Sequence, residues 1–480
     1  MTSRRDFLVH TGLGFGGAAL AGFVPGLTIN SATAAELIDP LAPKQPHFPA
    51  KIKSVIWLHQ DGAPSTLDLF DHKPELVKQA GKEVPASFVQ GIKTSTQGGV
   101  GKLWVSPDRT WKQYGESGAW FSNLLPNLAK QSDNLTFIKS SITVGATHDI
   151  SILKLNTGDL NPGRPSLGAW ISYALGSANP DLPPYVVLYN GKSEPRAGSV
   201  NWNSGFLPAV YQGTAFRPGD SPIFYLNRPA LRGEEQQRNS LDLLKKLNHA
   251  GSQRHPSDTE LKARLRSYDL ADRMQISAPE AVDLSKESDA TKELYGLNDP
   301  ISETYGTTLL RARRLVERGV RFIQVVTGEP SGDNGDVTSW DAHDDLQKNH
   351  SVKARQVDKP IAGLLEDLKS RGLLETTLVV WASEFSRTPW GESGSGRDHN
   401  PWGYTQWMAG GGLKPGFTYG ATDALGVQVE DKEKAVDTYD LHATVLQLVG
   451  LDHLKTTFLN NGRSERPTVV YGKVIKDILA

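Results

Sequence analysis

Cysteine is absent from all 480 residues, which excludes disulfides, thiolate metal sites, cysteine nucleophiles and a formylglycine made from cysteine. A dominant charge is missing too: 52 basic residues face 53 acidic ones, the net charge is -1, and no basic block follows the amino-terminal segment. Nucleic acid is therefore not an expected partner. No internal repeat recurs, and beyond the amino terminus no apolar run is long enough to span a membrane. Gly and Pro, by contrast, are plentiful at 47 and 29, about a sixth of the chain against a usual share of about an eighth. Long connecting loops follow from that, and loops carry sites. With 38% hydrophobic residues, the chain can bury one large core or two modest ones.

Residues 2–8, TSRRDFL, place Arg4 and Arg5 before Phe7 and Leu8, and a Gly/Ala/Leu-rich apolar segment then closes at SATAAE. This is the pattern of a twin-arginine export signal over residues 1–34, with Ala32 and Ala34 as the small residues of a cleavage site. It predicts a periplasmic or extracellular protein handed folded to the twin-arginine machinery, so a cofactor can be loaded before export. An amino-terminal membrane anchor is the alternative, disfavoured because Gly and Pro interrupt a run that is short for a span.

Residues 35–480 read as one α/β unit. KSVIWLH (53–59), NLTFIKSS (134–141) and PPYVVLY (183–189) read as buried strands, and SLGAWISYALGS as a helix capped by Ser166. LLRARRLVERG feeds VRFIQVV, and KPIAGLLEDLKSRGLL feeds TTLVVWAS; two successive helix–strand units predict a mostly parallel sheet covered on both faces. The helix in TYDLHATVLQLVGLDH puts Leu441, Val445, Leu448 and Val449 against that sheet and leaves His442 facing solvent. Residues about 190–300, rich in Gly, Pro and charge, read as a peripheral excursion over the sheet.

The stretch LVVWASEFSRTP followed by GRDHNPWGYTQW concentrates the chemistry. A buried strand ends in Glu384, and Asp398 and His399 follow after a short polar loop; upstream, SWDAHDD adds Asp341, His343 and Asp344. Carboxylates and imidazoles just past a strand's carboxyl end are how open α/β sheets build sites, and two such loops point to a metal-dependent hydrolase. Arg387 and Arg397 are candidates for bidentate contact with an oxyanion, or else partners of the local carboxylates. Trp340 and Trp402 read first as loop packing and second as sugar platforms.

The phrases HQDGAPSTLDLFDHKPEL, TGDLNPGRPSLGAWISYALGS, WNSGFLPAVYQGT, VERGVRFIQVV, SEFSRTP, GRDHNPWGYTQWMAGGG and DLHATVLQLVGLDH resemble the exported, sulfatase-like family known as domain of unknown function 1501. That family is similar to the alkaline phosphatase superfamily. The resemblance implies a three-layer α/β/α sandwich with metals at the carboxyl edge of the sheet. It sets Glu384 and Phe385 where the superfamily has an Asp-His-Gly turn, His399 at the later histidine ligand, and Asp341 with His343 at the preceding Asp and His pair. For the first-strand ligand it offers Asp68, with Asp61 second; Asp71 reads as a turn residue. In sulfatases the nucleophile precedes a Thr-Gly pair by nine residues, and counting back from Thr157 reaches His148, which is then either the attacking group or a ligand that leaves attack to water or Thr147.

These readings converge on an exported metal-dependent hydrolase of sulfate or phosphate esters, small-molecule or carbohydrate, using zinc or manganese, with calcium next if the histidines are not ligands. The competing class is a catalytically silent glycan- or envelope-binding protein on the same fold. Amino-terminal sequencing of the exported protein tests the address: the first residue should be Ala35. Retention of residues 1–34 on the exported chain would favour the anchor.

Overall fold

The computed structural model describes residues 39–92, 99–191, 194–219, 259–329, 337–392 and 395–480, with scattered positions between 220 and 258. The amino-terminal signal expected over residues 1–34 lies outside the described residues. Among those described, no helix is long and apolar enough to cross a membrane.

Ten strands position the site: β1 (Ser54–His59), β2 (Leu135–Ser141), β3 (Tyr185–Tyr189), β4 (Thr214–Phe216), β5 (Phe322–Val326), β6 (Thr377–Ala382), β7 (Ser386–Gly391), β8 (Arg397–Asn400), β9 (Tyr404–Gly410) and β10 (Thr418–Tyr419). Eight form one sheet in the order β10-β2-β9-β6-β1-β5-β3-β4. Every pairing is parallel except those of β9, which runs antiparallel to both β2 and β6. The period-two alternation of each central strand divides its side chains between two cores. Ile56, Leu58, Ile323, Val325, Val379 and Trp381 enter one, while Val55, Trp57, Phe322, Leu378 and Val380 enter the other.

Helices cover both faces. Against one lie α3 (Thr259–Val282), α4 (Glu303–Glu317) and α5 (Leu346–Ser370); on the other are α1 (His148–Thr157), α2 (Leu167–Leu175) and α6 (Thr438–Leu448). Together they make the three-layer α/β/α sandwich. Ser166 caps α2 by accepting from Ala169 N at 3.4 Å, and Asp437 caps α6 in a reciprocal capping box with Asp440.

Three sequence expectations change here. The helix expected to start near Lys359 starts at Leu346, because Asp345 accepts from Lys348 N and the buried row Ala354, Val357, Ile361, Leu364 and Leu368 runs straight past Pro360. His442 is buried rather than solvent-facing, its Nε2 2.8 Å from the Leu155 carbonyl. The segment about 190–300 is not wholly peripheral: it supplies β4, the outermost strand, and α3, whose Leu270, Met274 and Ala278 join the core.

Candidate metal centre

Because β1, β2, β5 and β6 run in one direction, the loops that follow them open at one edge of the sheet. After β1 come Asp61 and Gly62, after β2 comes His148, after β5 come Trp340, Asp341 and His343, and after β6 comes Glu384. The β7–β8 hairpin folds beside them and sets His399 across from Arg387 as a cross-strand pair. Two glycines permit this crowding. Gly62, at φ +101°, would place a Cβ 2.6 Å from the backbone nitrogens of Trp340 and Asp341, and a Cβ at Gly396 would lie 1.7 Å from the His343 carbonyl oxygen.

Four side chains converge. The ligand atoms of His148, Asp341, His343 and His399 all lie within 4.8 Å of one another. Asp341 Oδ1 is 2.9 Å from His343 Nε2, 3.2 Å from His148 Nε2 and 3.8 Å from His399 Nε2, and the Nε2 atoms of His343 and His399 are 3.1 Å apart. A tetrahedron with arms of about 2.0–2.1 Å has edges of about 3.3 Å, so these separations suit a four-coordinate ion.

The outer nitrogens decide which way the imidazoles point chemically. His148 Nδ1 lies 2.7 Å from Glu384 Oε1, His399 Nδ1 lies 2.5 Å from the Ala146 carbonyl, and His343 Nδ1 contacts the Glu392 carboxylate. Each partner is an acceptor, so each Nδ1 carries its proton and each Nε2 turns a lone pair inward toward the Asp341 carboxylate. With the proton on Nδ1, His148 Nε2 is buried and has no hydrogen-bond partner. Lone pairs facing a carboxylate at these distances repel unless a cation lies among them, and a divalent metal fits that requirement.

The same geometry displaces the titrations. In the metal-free protein a proton on Nε2 takes the place of the ion: burial alone would raise the Asp341 carboxyl, but Nε2–H donors of protonated His148, His343 and His399 and the Arg387 guanidinium hold it far below the usual carboxylate range. Burial opposes protonation of His148, yet hydrogen bonds to Asp341 and Glu384 raise it above its ordinary value; His343 is raised chiefly by its bond to Asp341. Burial lowers His399.

Several expected site residues stand elsewhere or act differently. Glu384 offers no oxygen to the four-residue group: Oε1 holds His148 and accepts from Gly62 N at 3.0 Å, while Oε2 accepts from Ser383 Oγ at 3.0 Å and lies 3.5 Å from His59 Nε2. Asp68, the expected first-strand ligand, is buried in an ion-pair network instead, with Oδ2 accepting from Arg397 Nε at 3.0 Å and Ser65 Oγ at 2.5 Å, and Oδ1 3.5 Å from Arg109. Arg397 is thereby committed to Asp68, the second reading its sequence position offered; its other nitrogens serve the Thr388 and Trp104 carbonyls. Arg387 is committed as well, donating to Ala63 O, Gly62 O, Arg397 O and Asp341 Oδ1.

Asp61 lies beside the group, not in it: its carbonyl accepts from Trp340 N, and its carboxylate is 3.8 Å from Arg196 Nε. Burial, then the Glu384 charge, raise its carboxyl. Asp398 turns Oδ1 back to the His399 amide at 2.5 Å. Thr147 is exposed and makes no side-chain cap on α1. Asp71, buried, pairs with Lys73 and Lys139. Trp340 is wholly enclosed and donates to Gln60 Oε1, so it packs the loop. Sequence reasoning missed Arg196, which donates to Asp341 Oδ2 at 3.1 Å, and Glu392, whose place in the polar loop between two site segments was its only signal.

Comparison with known proteins adds a family. No curated protein matches the chain in sequence. Among solved structures, it is similar to a protein in the alkaline phosphatase superfamily from Vibrio parahaemolyticus, at 10% identity over 93% of this chain and 77% of that one, with a TM-score of 0.37. It is also similar to the PsFucS1 sulfatase from Pseudoalteromonas sp., at 13% identity over 85% and 68% of the two chains and a TM-score of 0.35. A third is the phosphonate monoester hydrolase SpPMH from Silicibacter pomeroyi, at 13%, 74% and 71%, with a TM-score of 0.34. At such scores the fold rests on the strand order above.

Three predictions come from the geometry. Asp341→Asn, His343→Ala and His399→Ala should each lower metal affinity by about tenfold or more, since each removes a converging donor. Asp68→Asn should keep the metal while destabilising the fold by roughly 3–5 kcal/mol, the cost of breaking a buried ion pair. Metal analysis and urea unfolding of the same samples check both. The third concerns protons. In metal-free protein, the raised His148 and His343 contribute stability that is fully present below their unfolded value of 6.5 and lost as pH rises through the raised folded values. Metal uptake in that window should therefore release protons and strengthen as pH rises, which calorimetry in buffers of different ionisation enthalpy reads directly.

Across residues 52–479 the sequence matches the profile of the protein family of unknown function DUF1501, and the chain belongs to that family.

Proposed function

We propose that this chain is an exported, metal-dependent hydrolase of sulfate or phosphate esters, on small molecules or carbohydrates. The observation that carries the reading is the inward-facing set of three Nε2 lone pairs around Asp341 Oδ1, each imidazole fixed by an acceptor at its outer nitrogen. Three imidazoles and one carboxylate favour zinc, then manganese; calcium prefers an oxygen shell that this group does not offer. A divalent ion held there would supply Lewis-acid chemistry, polarising an ester oxygen and easing the deprotonation of water.

The chain's own residues set the rest. His148, with Nδ1 tied to Glu384 and Nε2 in the cluster, suits a ligand better than an attacking group, which leaves attack on phosphorus or sulfur to water. The side chains of Asp341 and His343 are 21% and 35% exposed, so an ester can reach the group from that side. Glu384 acts through His148 as a positioning residue. A second reading, a binding protein that holds a glycan or envelope component, is favoured by Phe385. Its ring packs 4.9 Å from His148 and 4.5 Å from His399, filling the position where the resemblance leads one to expect a further histidine ligand.

The deciding experiment is metal analysis of protein purified after native export, followed by a panel of aryl sulfates and phosphate esters. Turnover that chelation abolishes and zinc or manganese restores is expected, with Glu384→Gln reducing it by about 10–100-fold. Bound metal without turnover on any ester would favour the binding protein.

A further inference from the structure

Arg196 stands on the loop after β3, in a segment with no strand or motif signal. It differs from the other two arginines near the centre. Arg387 and Arg397 are enclosed, with side chains 0% and 1% exposed, and each of their nitrogens has a carbonyl or carboxylate partner. Arg196 is 33% exposed. Its Nη2 donates to Asp341 Oδ2 at 3.1 Å and to Ser339 Oγ at 3.3 Å, and its Nε lies 3.8 Å from Asp61 Oδ2. Among the described residues no partner occupies Nη1.

This placement joins two requirements that rarely meet on one side chain. The guanidinium is oriented, because Nη2 is pinned to the outer oxygen of the carboxylate whose inner oxygen sits among the imidazoles. Its Nη1 has no partner among the described residues, on a side chain that is one-third exposed beside the partly exposed Asp341. A guanidinium held in this way presents Nη1 to an oxygen of a tetrahedral anion in a fixed orientation, which the flexible stem of a lysine does not.

We propose that Arg196 is the anion-recognition residue of this centre, its Nη1 edge taking a non-bridging oxygen of a phosphate or sulfate group. The proposal deepens the hydrolase reading and rests on it. It also explains why the arginines singled out in the sequence are not the ones available to substrate: their donors are spent on holding the loops together.

Titration calorimetry of the exported protein with inorganic phosphate, and separately with inorganic sulfate, tests this, with metal content and unfolding temperature measured on the same samples. The native chain should bind at least one of the two anions, and the stronger one names the ester class. Arg196→Gln should weaken that binding by about ten- to a hundredfold, the order of one charge-assisted contact, at unchanged metal content. Arg196→Lys should recover only part of it. Native-like binding by Arg196→Gln overturns the proposal, as does a native chain that binds neither anion. Loss of metal together with anion in Arg196→Gln also overturns it, because Arg196 would then only support Asp341. Arg196-dependent anion binding without turnover of any ester would uphold the anion site and reject the hydrolase reading, so the two fail separately.

Discussion

One carboxylate oxygen organises this molecule's functional edge. Asp341 Oδ1 is shared by the Nε2 atoms of His148, His343 and His399 and by the Arg387 guanidinium at 2.6 Å, while Oδ2 is held by Arg196. Placing one anion within reach of three imidazoles and two guanidinium groups in a largely buried setting favours cations strongly, whether protons or a metal. The three outer nitrogens are satisfied before any ion arrives, so the group is oriented in advance and little reorganisation accompanies binding.

That orientation is inherited from the sheet. Parallel strands deliver four loops to one edge, and the loops approach closely only because Gly62 and Gly396 lack side chains. Glu384 then acts as a bracket between layers, joining the loop after β1 through the Gly62 amide, the start of α1 through His148, and its own strand through Ser383. Beneath the hairpin that carries His399, the buried set Asp68, Arg109 and Arg397 fixes β8 against the first loop. Such ion pairs are costly to bury and costlier to break, which suits a role in holding geometry.

Much of the architecture was legible in the sequence because apolar periodicity is local. The strands of KSVIWLH, NLTFIKSS and TTLVVWAS show their burial within six or seven residues, and the helix–strand alternation implies the parallel sheet. The start of α5 was obscured because Pro360 reads as a first-turn residue, although the buried row runs through it. At the site, residue type and loop position drew attention to Asp341, His343 and His399, and the resemblance to sulfatases drew it to His148. Which carboxylate faces the group was not legible. Asp61, Asp68 and Asp71 fall on one short segment, and their partners Arg196, Arg397 and Lys139 are distant in sequence, so only the folded chain separates them. Glu384 shows the same limit on a finer scale, since a carboxylate that touches an ion and one that touches a histidine beside it carry the same sequence signal.

The central claim is that three imidazoles and Asp341 hold a single divalent ion. Zinc-edge X-ray absorption spectroscopy of natively exported protein tests it most directly. The account predicts four nitrogen or oxygen neighbours at about 2.0–2.1 Å, with the outer-shell scattering of three imidazole rings. A protein that retains no metal, or an ion ringed by oxygen alone with no imidazole scattering, would contradict it.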